Sequence, residues 1–459
     1  MREPHMLRLD KLPPLRLLAE GFRDLPRLAV LEGGTSTAAE GRWSYLAADP
    51  YDCVRWTAKG VRSELHGALP GDGFDVLNAL VKYNNGQPVR PSPPFAGGAI
   101  GYIAYDAAYA LEAIPAHCPN SASGDLMWFG LYDWVVARDA RDGSGWIITT
   151  AAGGRDPDES RERILTRLPN AEETVTPPVQ RCARTNVDQH VFGQWVEAIK
   201  DYIEAGDCYQ VNIARRIEFD APDPGFEYFQ RIGAIHPATL GAYIAADGVE
   251  IVSASPELFL QVDELGKART RPIKGTAARG TTRTLDRAAA ERLQASAKDR
   301  AENLMIVDVL RNDFGRVCRP GSIHVPSLWQ PEALPTVWQL VSEVRGTLGP
   351  GVTSTDLLRS CWPGGSITGA PKIRASEIID ELEPVRRGVY CGSVFALGQS
   401  GALTANLAIR TVQLRGAMGY LHVGAGIVAE SHPDLEYAET EDKARGVLMA
   451  MGLSEDSPI

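Results

Sequence analysis

The stretch "GYLHVGAGIVA", residues 419 to 429, decides between two fold classes. Its apolar residues predict a strand, and its end, "GAGIVA", fits the Gly-x-Gly-x-x-Ala form of a dinucleotide-binding turn. Such a turn belongs to a doubly wound sheet and needs further strand–helix units after it. The chain continues for only 30 residues beyond Ala429, to Ile459, which argues against that fold. The two glycines then have two interpretations: backbone approached closely by a small anionic ligand, or a β-bulge.

The N-terminal third of the chain alternates short β-rich runs with turn residues. Examples are "RLAVLEG" (27–33), "RWSYLAA" (42–48), "GAIGYIAY" (98–105) and "GWIITTA" (145–151). This pattern is typical of antiparallel sheet. A stretch rich in Gly, Pro and charge follows, so we divide the chain into a β-rich region (1–150), a linker or surface excursion (151–186) and a C-terminal region (187–459).

Three segments of the C-terminal region have apolar residues at helical spacing. They run from Val187 to Asp207, from about Asp286 to Gly315 and from about Asp434 to Met451. Helices and strands do not alternate in βαβ order along the chain. We therefore expect an α+β fold with large antiparallel sheets.

Composition excludes several functions. The chain of 459 residues has 47 basic and 58 acidic side chains, and its net charge of -11 disfavours nucleic acid as a partner. No apolar run approaches the roughly 20 residues that span a bilayer, and "MREPHMLRLDKLPPL" lacks the apolar segment of a signal peptide. Seven scattered cysteines without a CxxC pair argue against a disulfide framework or a structural zinc site. We expect a cytoplasmic protein.

Several charged residues have two interpretations each. Glu436, Glu439 and Lys443 share one face of a predicted helix, which is either a solvated face or, with Glu302, a site for a divalent cation. The run "LTANLAIRTVQL" (403–414) predicts a strand whose polar face ends in Arg410, either solvated or binding a carboxylate. Lys274, in "TRPIKGTAARG" (270–280), is either a surface lysine or an amine placed for chemistry.

Eight segments resemble, in order, the sequence blocks of the chorismate-utilising enzymes. They are "GDCYQVNIARR" (206–216), "SASPELFL" (253–260), "TRPIKGTAARG" (270–280), "AENLMIVDVLRNDFGRVC" (301–318), "GSITGAPKIRASEIIDELEP" (365–384), "YCGSV" (390–394), "AIRTV" (408–412) and "GAGIVAESHPDLEYAETEDKA" (424–444). The resemblance implies a sandwich of large antiparallel sheets surrounded by helices. It also implies that residues 187–459 bind chorismate and that residues 1–150 resemble the N-terminal region of anthranilate synthase component I.

Two positions indicate a branch of that family. Anthranilate synthases carry alanine where this chain has Lys274, and isochorismate-forming members carry a lysine where it has Gln210. The chain therefore resembles aminodeoxychorismate synthase component I. That branch aminates chorismate to 4-amino-4-deoxychorismate, with ammonia from a separate glutamine amidotransferase subunit, on the route to 4-aminobenzoate and folate. The alternatives are an anthranilate synthase large subunit and a non-catalytic chorismate-binding homologue.

The resemblance implies a role for each matching residue. Lys274 is the nucleophile that adds to the chorismate ring, and Glu257 is the acid that protonates the departing hydroxyl. Mg²⁺ is held by Glu302 and Glu439, with Glu436 near. The residues implied to contact substrate are Gly275, Thr276, Tyr390, Arg410, Gly424, Ala425, Gly426 and Lys443. A reactive lysine needs a depressed pKa, for which we expect an apolar pocket or a neighbouring cation such as Arg271 or Arg279.

The chain departs from the family at two places. Gln339 replaces a histidine, and we expect it to hydrogen-bond near the departing hydroxyl. Gly33 replaces a serine that helps form a tryptophan pocket in relatives. Arg42, Trp43 and Leu240 resemble the other walls of that pocket, so we expect an effector site whose affinity for tryptophan is in question.

Overall fold

A computed structural model describes residues 4–34, 41–81, 93–118, 124–168, 177–334 and 337–456. Its strands are β1 (His5–Leu9), β2 (Ala29–Gly33), β3 (Trp43–Ala47), β4 (Asp52–Thr57), β5 (Gly60–Ser63), β6 (Gly67–Leu69), β7 (Gly98–Ile103), β8 (Met127–Tyr132), β9 (Trp134–Asp139), β10 (Gly145–Thr149), β11 (Arg181–Thr185), β12 (Gln210–Asp220), β13 (Leu240–Ala246), β14 (Val249–Ser255), β15 (Leu258–Val262), β16 (Lys267–Arg271), β17 (Ile273–Ala278), β18 (His324–Ala333), β19 (Val337–Thr347), β20 (Gly369–Ala370), β21 (Ser393–Gly398), β22 (Leu403–Asn406), β23 (Thr411–Arg415), β24 (Met418–Ile427) and β25 (Leu453–Asp456). Its helices are α1 (Leu15–Leu18), α2 (Gly73–Leu80), α3 (Ala108–Leu111), α4 (Pro157–Arg167), α5 (Gln189–Glu204), α6 (Gly225–Ile235), α7 (Arg283–Ala295), α8 (Ala297–Gly315), α9 (Ser354–Ser360), α10 (Lys372–Leu382) and α11 (Pro433–Met451).

The strands form two sheets. Sheet A has the order β1-β10-β9-β3-β2-β13-β14-β23-β24-β12-β11-β25, with β20 also paired to β12. Sheet B has the order β17-β19-β16-β15-β22-β21-β7-β8-β4-β5-β6, with β18 also paired to β19. Within the described residues, the β11–β25 pair is parallel and every other ladder is antiparallel. The predicted α+β class with large antiparallel sheets is confirmed.

The two sheets pack face to face. One buried cluster contains Tyr45 and Ile251 from sheet A together with Trp128 and Val394 from sheet B. Helices α1, α6 and α11 pack on the outer face of sheet A, and α2, α8 and α9 pack on that of sheet B. The resulting sandwich buries apolar residues of both sheets between two helical layers. None of the helices described is both long and apolar enough to cross a membrane.

Strands from the N-terminal and C-terminal parts of the chain share both sheets. In sheet A, Val30 of β2 pairs with Tyr243 of β13, and in sheet B, Phe395 of β21 pairs with Gly101 of β7. The stretch predicted as a linker contains helix α4 and strand β11, and its residues 169–176 lie outside the described ranges. The three sequence regions therefore build one continuous sandwich.

The predicted helices from Val187 and from about Asp434 are present as α5 and α11. The single helix predicted between about Asp286 and Gly315 is wrong, because the chain breaks there into α7 and α8. Ser296 is extended at the break, and its hydroxyl accepts a hydrogen bond from Asp299 N at 3.3 Å as the N-cap of α8. A new helix with its own N-cap therefore begins at the break and packs on sheet B.

The single strand predicted over 403–414 is also wrong. Strand β22 ends at Asn406 in sheet B, and β23 begins at Thr411 in sheet A, so the chain crosses between sheets in 407–410. Arg410 has a φ of +50° in this crossover. A second crossover, between β14 and β15, contains Glu257. The two crossovers hydrogen-bond to each other, since Leu407 N donates to Glu257 O at 3.0 Å.

Candidate active site

Lys274 lies at a β-bulge in strand β17. The pairing of β17 with β19 shifts register between Ile273 and Thr276. Gly275 has a φ of +84° at this point, in the left-handed region that glycine adopts without strain. A bulge interrupts the alternation of side chains along a strand and re-aims the residue beside it. Gly275 therefore allows the bulge to form, and the bulge turns the Lys274 side chain out of the regular pleat.

Helix α8 packs directly against this bulge. A methyl group placed on Gly275 would lie 2.8 Å from Oδ1 of Asp299, in the first turn of α8. Glu302 lies about one turn further along the helix and within electrostatic reach of Lys274. The contact between bulge and helix start thus brings a carboxylate to the lysine.

Glu257 is buried in the crossover between β14 and β15. Its Oε1 accepts a hydrogen bond from the Ser366 hydroxyl at 3.0 Å. Burial raises the pKa of Glu257 to about 7, although the Ser366 hydroxyl and the Lys274 ammonium both act to lower it. A carboxyl group with this pKa is a competent proton donor near neutral pH.

Burial lowers the pKa of Lys274, whose side chain is partly buried. The carboxylates of Glu302 and Glu257 oppose this shift, while the ammonium of Lys443 adds to it. A lowered pKa increases the fraction of neutral amine, which is the nucleophilic form. The environment of Lys274 therefore favours the species that the predicted chemistry requires.

The cation that acts on Lys274 differs from the expected ones. Arg271 forms an ion pair with Glu332, and Arg279 Nη2 lies 2.6 Å from Asp286 Oδ2. Each guanidinium is balanced by its own carboxylate. Lys443, which reaches the site from helix α11, supplies the neighbouring positive charge instead.

Gly426 allows two side chains to approach strand β24 closely. A methyl group on Gly426 would collide with Nε2 of Gln210 and lie 3.4 Å from Nζ of Lys274. Gln210 is fully buried, and within the described ranges neither its amide nitrogen nor its amide oxygen has a hydrogen-bond partner. Buried amides are normally hydrogen-bonded. Gln210 therefore offers a donor and an acceptor beside the Lys274 amine.

Tyr390 and Lys443 both lie at Gly424. The Tyr390 hydroxyl lies 2.9 Å from the position of a methyl group built on Gly424, and Lys443 Nζ donates to Gly424 O at 2.7 Å. Burial raises the pKa of Tyr390 well above its usual value, so the phenol keeps its proton. Tyr390 thus presents a neutral hydroxyl over the glycines.

The backbone around these glycines lies on a partly open strand edge. Strand β23 pairs with β24 only from Met418 to Leu421, while β12 pairs with β24 along its whole length. Beyond Leu421, no described strand covers the edge of β24 opposite β12. Gly424, Ala425 and Gly426 lie on that uncovered stretch, where backbone groups have room to bind a ligand.

Arg410 reaches the site from the other crossover. Its Nη1 lies 3.4 Å from Nε2 of His236. Burial and the Arg410 charge lower the pKa of His236, so a neutral imidazole accepts this contact. Burial also lowers the pKa of Arg410, against the pull of the Glu257 carboxylate. The guanidinium keeps its charge and lies within electrostatic reach of Glu257.

The three predicted metal ligands come from helices α8 and α11. Lys298 Nζ lies 3.9 Å from Glu302 Oε1 and 3.8 Å from Glu436 Oε1. Glu439 pairs with Lys443 at 2.7 Å. Burial acts to raise the pKa of Glu439, but the Lys443 ammonium lowers it overall. Two of the three carboxylates therefore face one shared cation, and the third is paired one turn away on α11.

This arrangement fits Mg²⁺ bound by few protein ligands. The structure describes no group of three or more His, Cys, Asp or Glu side chains arranged to hold a metal ion by themselves. Mg²⁺ commonly needs only one or two carboxylates, with water and substrate completing its six ligands. The Lys298 ammonium stands in for a metal ion in this structure. Its position shows that Glu302 and Glu436 can face one positive charge together.

Gln339 lies across the ladder from Thr276 and is buried, while Thr276 is exposed. It lines an open cleft of about 450 Å³ together with Pro256 and Ile273. These two residues directly precede the predicted acid and the predicted nucleophile in the chain. The hydrogen bond expected from Gln339 near the departing hydroxyl stays a prediction.

Arg387 supports the site from behind. Its guanidinium forms a buried ion pair with Glu383 at 2.6 Å and donates to Ile367 O at 3.0 Å and Asn212 O at 2.5 Å. Its Cζ lies 5.8 Å from the centre of the Tyr390 ring. One buried pair thus connects strand β12, the turn that carries Ser366 and the tyrosine over Gly424.

Comparison with known proteins identifies the family. The family model for chorismate binding enzymes matches residues 44–449 of this sequence. The chain belongs to this family. It is 37% identical over 431 residues to aminodeoxychorismate synthase component 1 of Salmonella typhimurium (92% of this chain, 93% of the relative). It is 34% identical over 391 residues to anthranilate synthase component 1 of Bacillus caldotenax (80% and 77%). The crystal structure of anthranilate synthase component I from Streptococcus pneumoniae superposes with a TM-score of 0.80 at 29% identity (90% and 93%).

This chorismate binding enzyme has a second cavity, away from Lys274. Three of the four residues predicted for an effector site, Gly33, Trp43 and Leu240, line a cavity of about 510 Å³. Arg42 instead pairs with Asp139 at 2.6 Å and stacks over the Trp43 ring at 4.9 Å. A methyl group on Gly33 would collide with the carbonyl oxygen of residue 41, so a larger side chain does not fit there.

Sequence reasoning missed several residues that surround the reacting groups of this chorismate binding enzyme. Ser366 bonds the acid, Lys298 faces two carboxylates, and His236 contacts the arginine. For Lys298 a signal was present, because it precedes Glu302 by four residues on a predicted helix. Ser366 and His236 are far in sequence from the residues they contact, and only the folded sandwich brings them to the site. No local sequence pattern predicts these contacts.

Proposed function

We propose that this enzyme aminates chorismate at C4 to give 4-amino-4-deoxychorismate, with Lys274 as a covalent nucleophile. The observation that carries this proposal is the pairing of two oppositely shifted groups in one site. Burial lowers the pKa of Lys274 and raises that of Glu257 to about 7. A neutral amine beside a protonated carboxyl group is the combination that a displacement of hydroxide requires.

In the first step, the Lys274 amine forms a bond to ring carbon C2. The electrons of the ring diene shift toward C4 and break its bond to the hydroxyl group. Glu257 donates its proton to that oxygen, so water leaves rather than hydroxide. The Glu257 carboxylate then takes a proton from the new ammonium at Lys274, which leaves the acid ready for the next turnover.

In the second step, ammonia attacks C4, the diene electrons shift back, and the C2–N bond to Lys274 breaks. The proton that the new ammonium at C4 loses balances the one that the departing lysine gains. We assign to the Gln210 amide, buried and without a partner among the described residues, the hydrogen bond to ammonia; its position beside Gly426 and Lys274 supports this role. An amide does not titrate and cannot act as a base toward water, which supports amination over hydration.

Substrate carboxylates are assigned to the two ends of the site. Arg410, Tyr390 and the backbone of residues 424–426 offer donors for the enolpyruvyl carboxylate. Glu302, Glu436 and Glu439 would hold Mg²⁺, which when bound would balance the charge of the ring carboxylate. Thr276 and Lys443 are assigned further contacts with the substrate.

We further propose that ammonia comes from a separate glutamine amidotransferase subunit. The name of the Salmonella typhimurium relative, a component 1, supports a partner component. A pyridoxal-phosphate lyase would then release 4-aminobenzoate for folate synthesis. Glutamine should support turnover only when the amidotransferase subunit is added, whereas ammonium should support turnover by this chain alone.

Product analysis by mass spectrometry tests the main proposal. Wild-type enzyme with chorismate, ammonium and Mg²⁺ should form 4-amino-4-deoxychorismate, which the added lyase converts to 4-aminobenzoate. Lys274→Ala should lose most of this activity and form slow product aminated at C2. Lys267→Ala removes an exposed lysine from β16, the strand that precedes β17 in the chain, and should change nothing.

Two outcomes would support the alternatives instead. Anthranilate as the wild-type product would make the chain an anthranilate synthase large subunit, in line with the 34% identity to that relative. Chorismate bound without turnover would make it a non-catalytic homologue. Wild-type product and rate from Lys274→Ala would remove the covalent role of the lysine.

A further inference from the structure

Lys298 has an unusual position between two carboxylates of different helices. Its Nζ lies 3.9 Å from Glu302 on its own helix α8 and 3.8 Å from Glu436 on α11. The lysine side chain is 52% exposed, whereas the side chains of Glu302 and Glu436 are 15% and 5% exposed. A half-exposed cation thus balances two nearly buried anions.

The two carboxylates need such a cation. Both are largely removed from solvent, and each faces the same Lys298 ammonium. Glu436 has a further partner, since Ser431 Oγ donates to its Oε1 at 2.7 Å. Without Lys298, two like charges would face each other with little solvent between them, which is unfavourable.

The geometry also allows Lys298 to leave. Both distances exceed the length of a direct hydrogen bond, so the ammonium is held by charge rather than by close contacts. The side chain extends from the first turn of α8 and is half in solvent. Displacing it therefore breaks no buried hydrogen bond.

We propose that Lys298 is a built-in counter-ion that competes with the divalent cation for Glu302 and Glu436. The inference rests on the proposed Mg²⁺ site. Without metal, the ammonium keeps the two helices and their carboxylates together. When a divalent cation binds, the lysine moves into solvent, because the ion repels an ammonium group placed between the same two carboxylates.

Metal binding measured directly tests the competition. Lys298→Gln keeps a polar side chain and removes the charge, and Mn²⁺ affinity is measured by electron paramagnetic resonance, with Mg²⁺ affinity by calorimetry. The variant should bind both ions roughly fivefold to tenfold more tightly than wild type, because the competing charge is gone. Lys200→Gln is the matched control: Lys200 pairs with Glu197 at 3.4 Å on helix α5, and its loss should leave metal affinity unchanged.

Thermal stability gives a second measurement. Metal-free Lys298→Gln should melt below wild type, and saturating Mg²⁺ should raise its melting temperature by more than it raises that of wild type. Equal or weaker metal affinity in Lys298→Gln, with normal binding by wild type, would overturn the counter-ion role alone. Failure of the wild-type enzyme to bind either ion would overturn the proposed Mg²⁺ site itself.

Discussion

The acid assigned to Glu257 should give the reaction a defined loss of rate at alkaline pH. With a pKa of about 7, the carboxyl group is about half protonated at pH 7 and roughly one-tenth protonated at pH 8. Only the protonated form helps the hydroxyl to leave, so kcat should fall about tenfold per pH unit above the pKa. Glu257→Gln should lower kcat by a factor of roughly 10² to 10⁴. The variant should also lose this fall of kcat at high pH, the alkaline limb of the pH–rate profile.

A substitution at Ser366 should shift the alkaline limb of the kcat profile while Glu257 stays in place. Its hydroxyl donates to Glu257 Oε1 at 3.0 Å and stabilises the charged carboxylate, which lowers the pKa. A hydrogen bond to a charged group contributes about 1.5 to 3 kcal/mol, and one pKa unit corresponds to about 1.4 kcal/mol. Ser366→Ala should therefore raise the pKa of Glu257, and shift the alkaline limb upward by about one to two pH units.

The assay follows kcat at saturating chorismate while free ammonia, rather than total ammonium, is held constant at each pH. Deprotonation of Lys274 should produce a separate acidic limb, which Ser366→Ala leaves in place. The reasoning would be refuted if the alkaline limb did not shift in Ser366→Ala and remained in Glu257→Gln. Another group would then donate the proton to the departing hydroxyl.

Three further substitutions test the site. Glu439→Gln should abolish most Mg²⁺-dependent turnover, and an unchanged dependence of rate on Mg²⁺ would remove Glu439 from the metal site. Gly426→Ala should place a methyl group against the Gln210 amide. If the overpacking cost of about 1 to 3 kcal/mol falls on the substrate complex, kcat/KM should drop by roughly fivefold to 150-fold; a wild-type kcat/KM would contradict this. Glu383→Gln should lower the free energy of unfolding by roughly 3 to 5 kcal/mol in urea titrations, because Arg387 stays buried without its counter-ion; a loss below about 1 kcal/mol would refute this role.

The fold class was predictable because it depends on local patterns. Alternating apolar runs and helical spacing indicated antiparallel sheet and the helices α5 and α11. The two errors, at Ser296 and in 407–410, are at places where tertiary structure breaks a pattern that looks continuous. A helix-capping serine and a crossover between sheets both leave local apolar spacing almost unchanged, so periodicity alone does not locate them.

Site residues could be predicted only where they lie within sequence motifs that resemble those of the family. Lys274, Glu257 and Arg410 were named from motifs, and the structure brings them together through one bulge and two crossovers. Their supporting contacts were not predictable, since Ser366 lies 109 positions from Glu257 in the chain. The same holds for Gln210, whose amide meets Lys274 only because β12 pairs with β24.

The most direct test of the account is to trap the Lys274 adduct. Enzyme mixed with chorismate and Mg²⁺ in the absence of ammonia is quenched in acid, digested and analysed by peptide mass spectrometry. The account predicts that the peptide containing Lys274 gains the mass of chorismate less one water, and that added ammonia removes this adduct as aminated product forms. Rapid formation of 4-amino-4-deoxychorismate with no adduct on Lys274 at any quench time would contradict it.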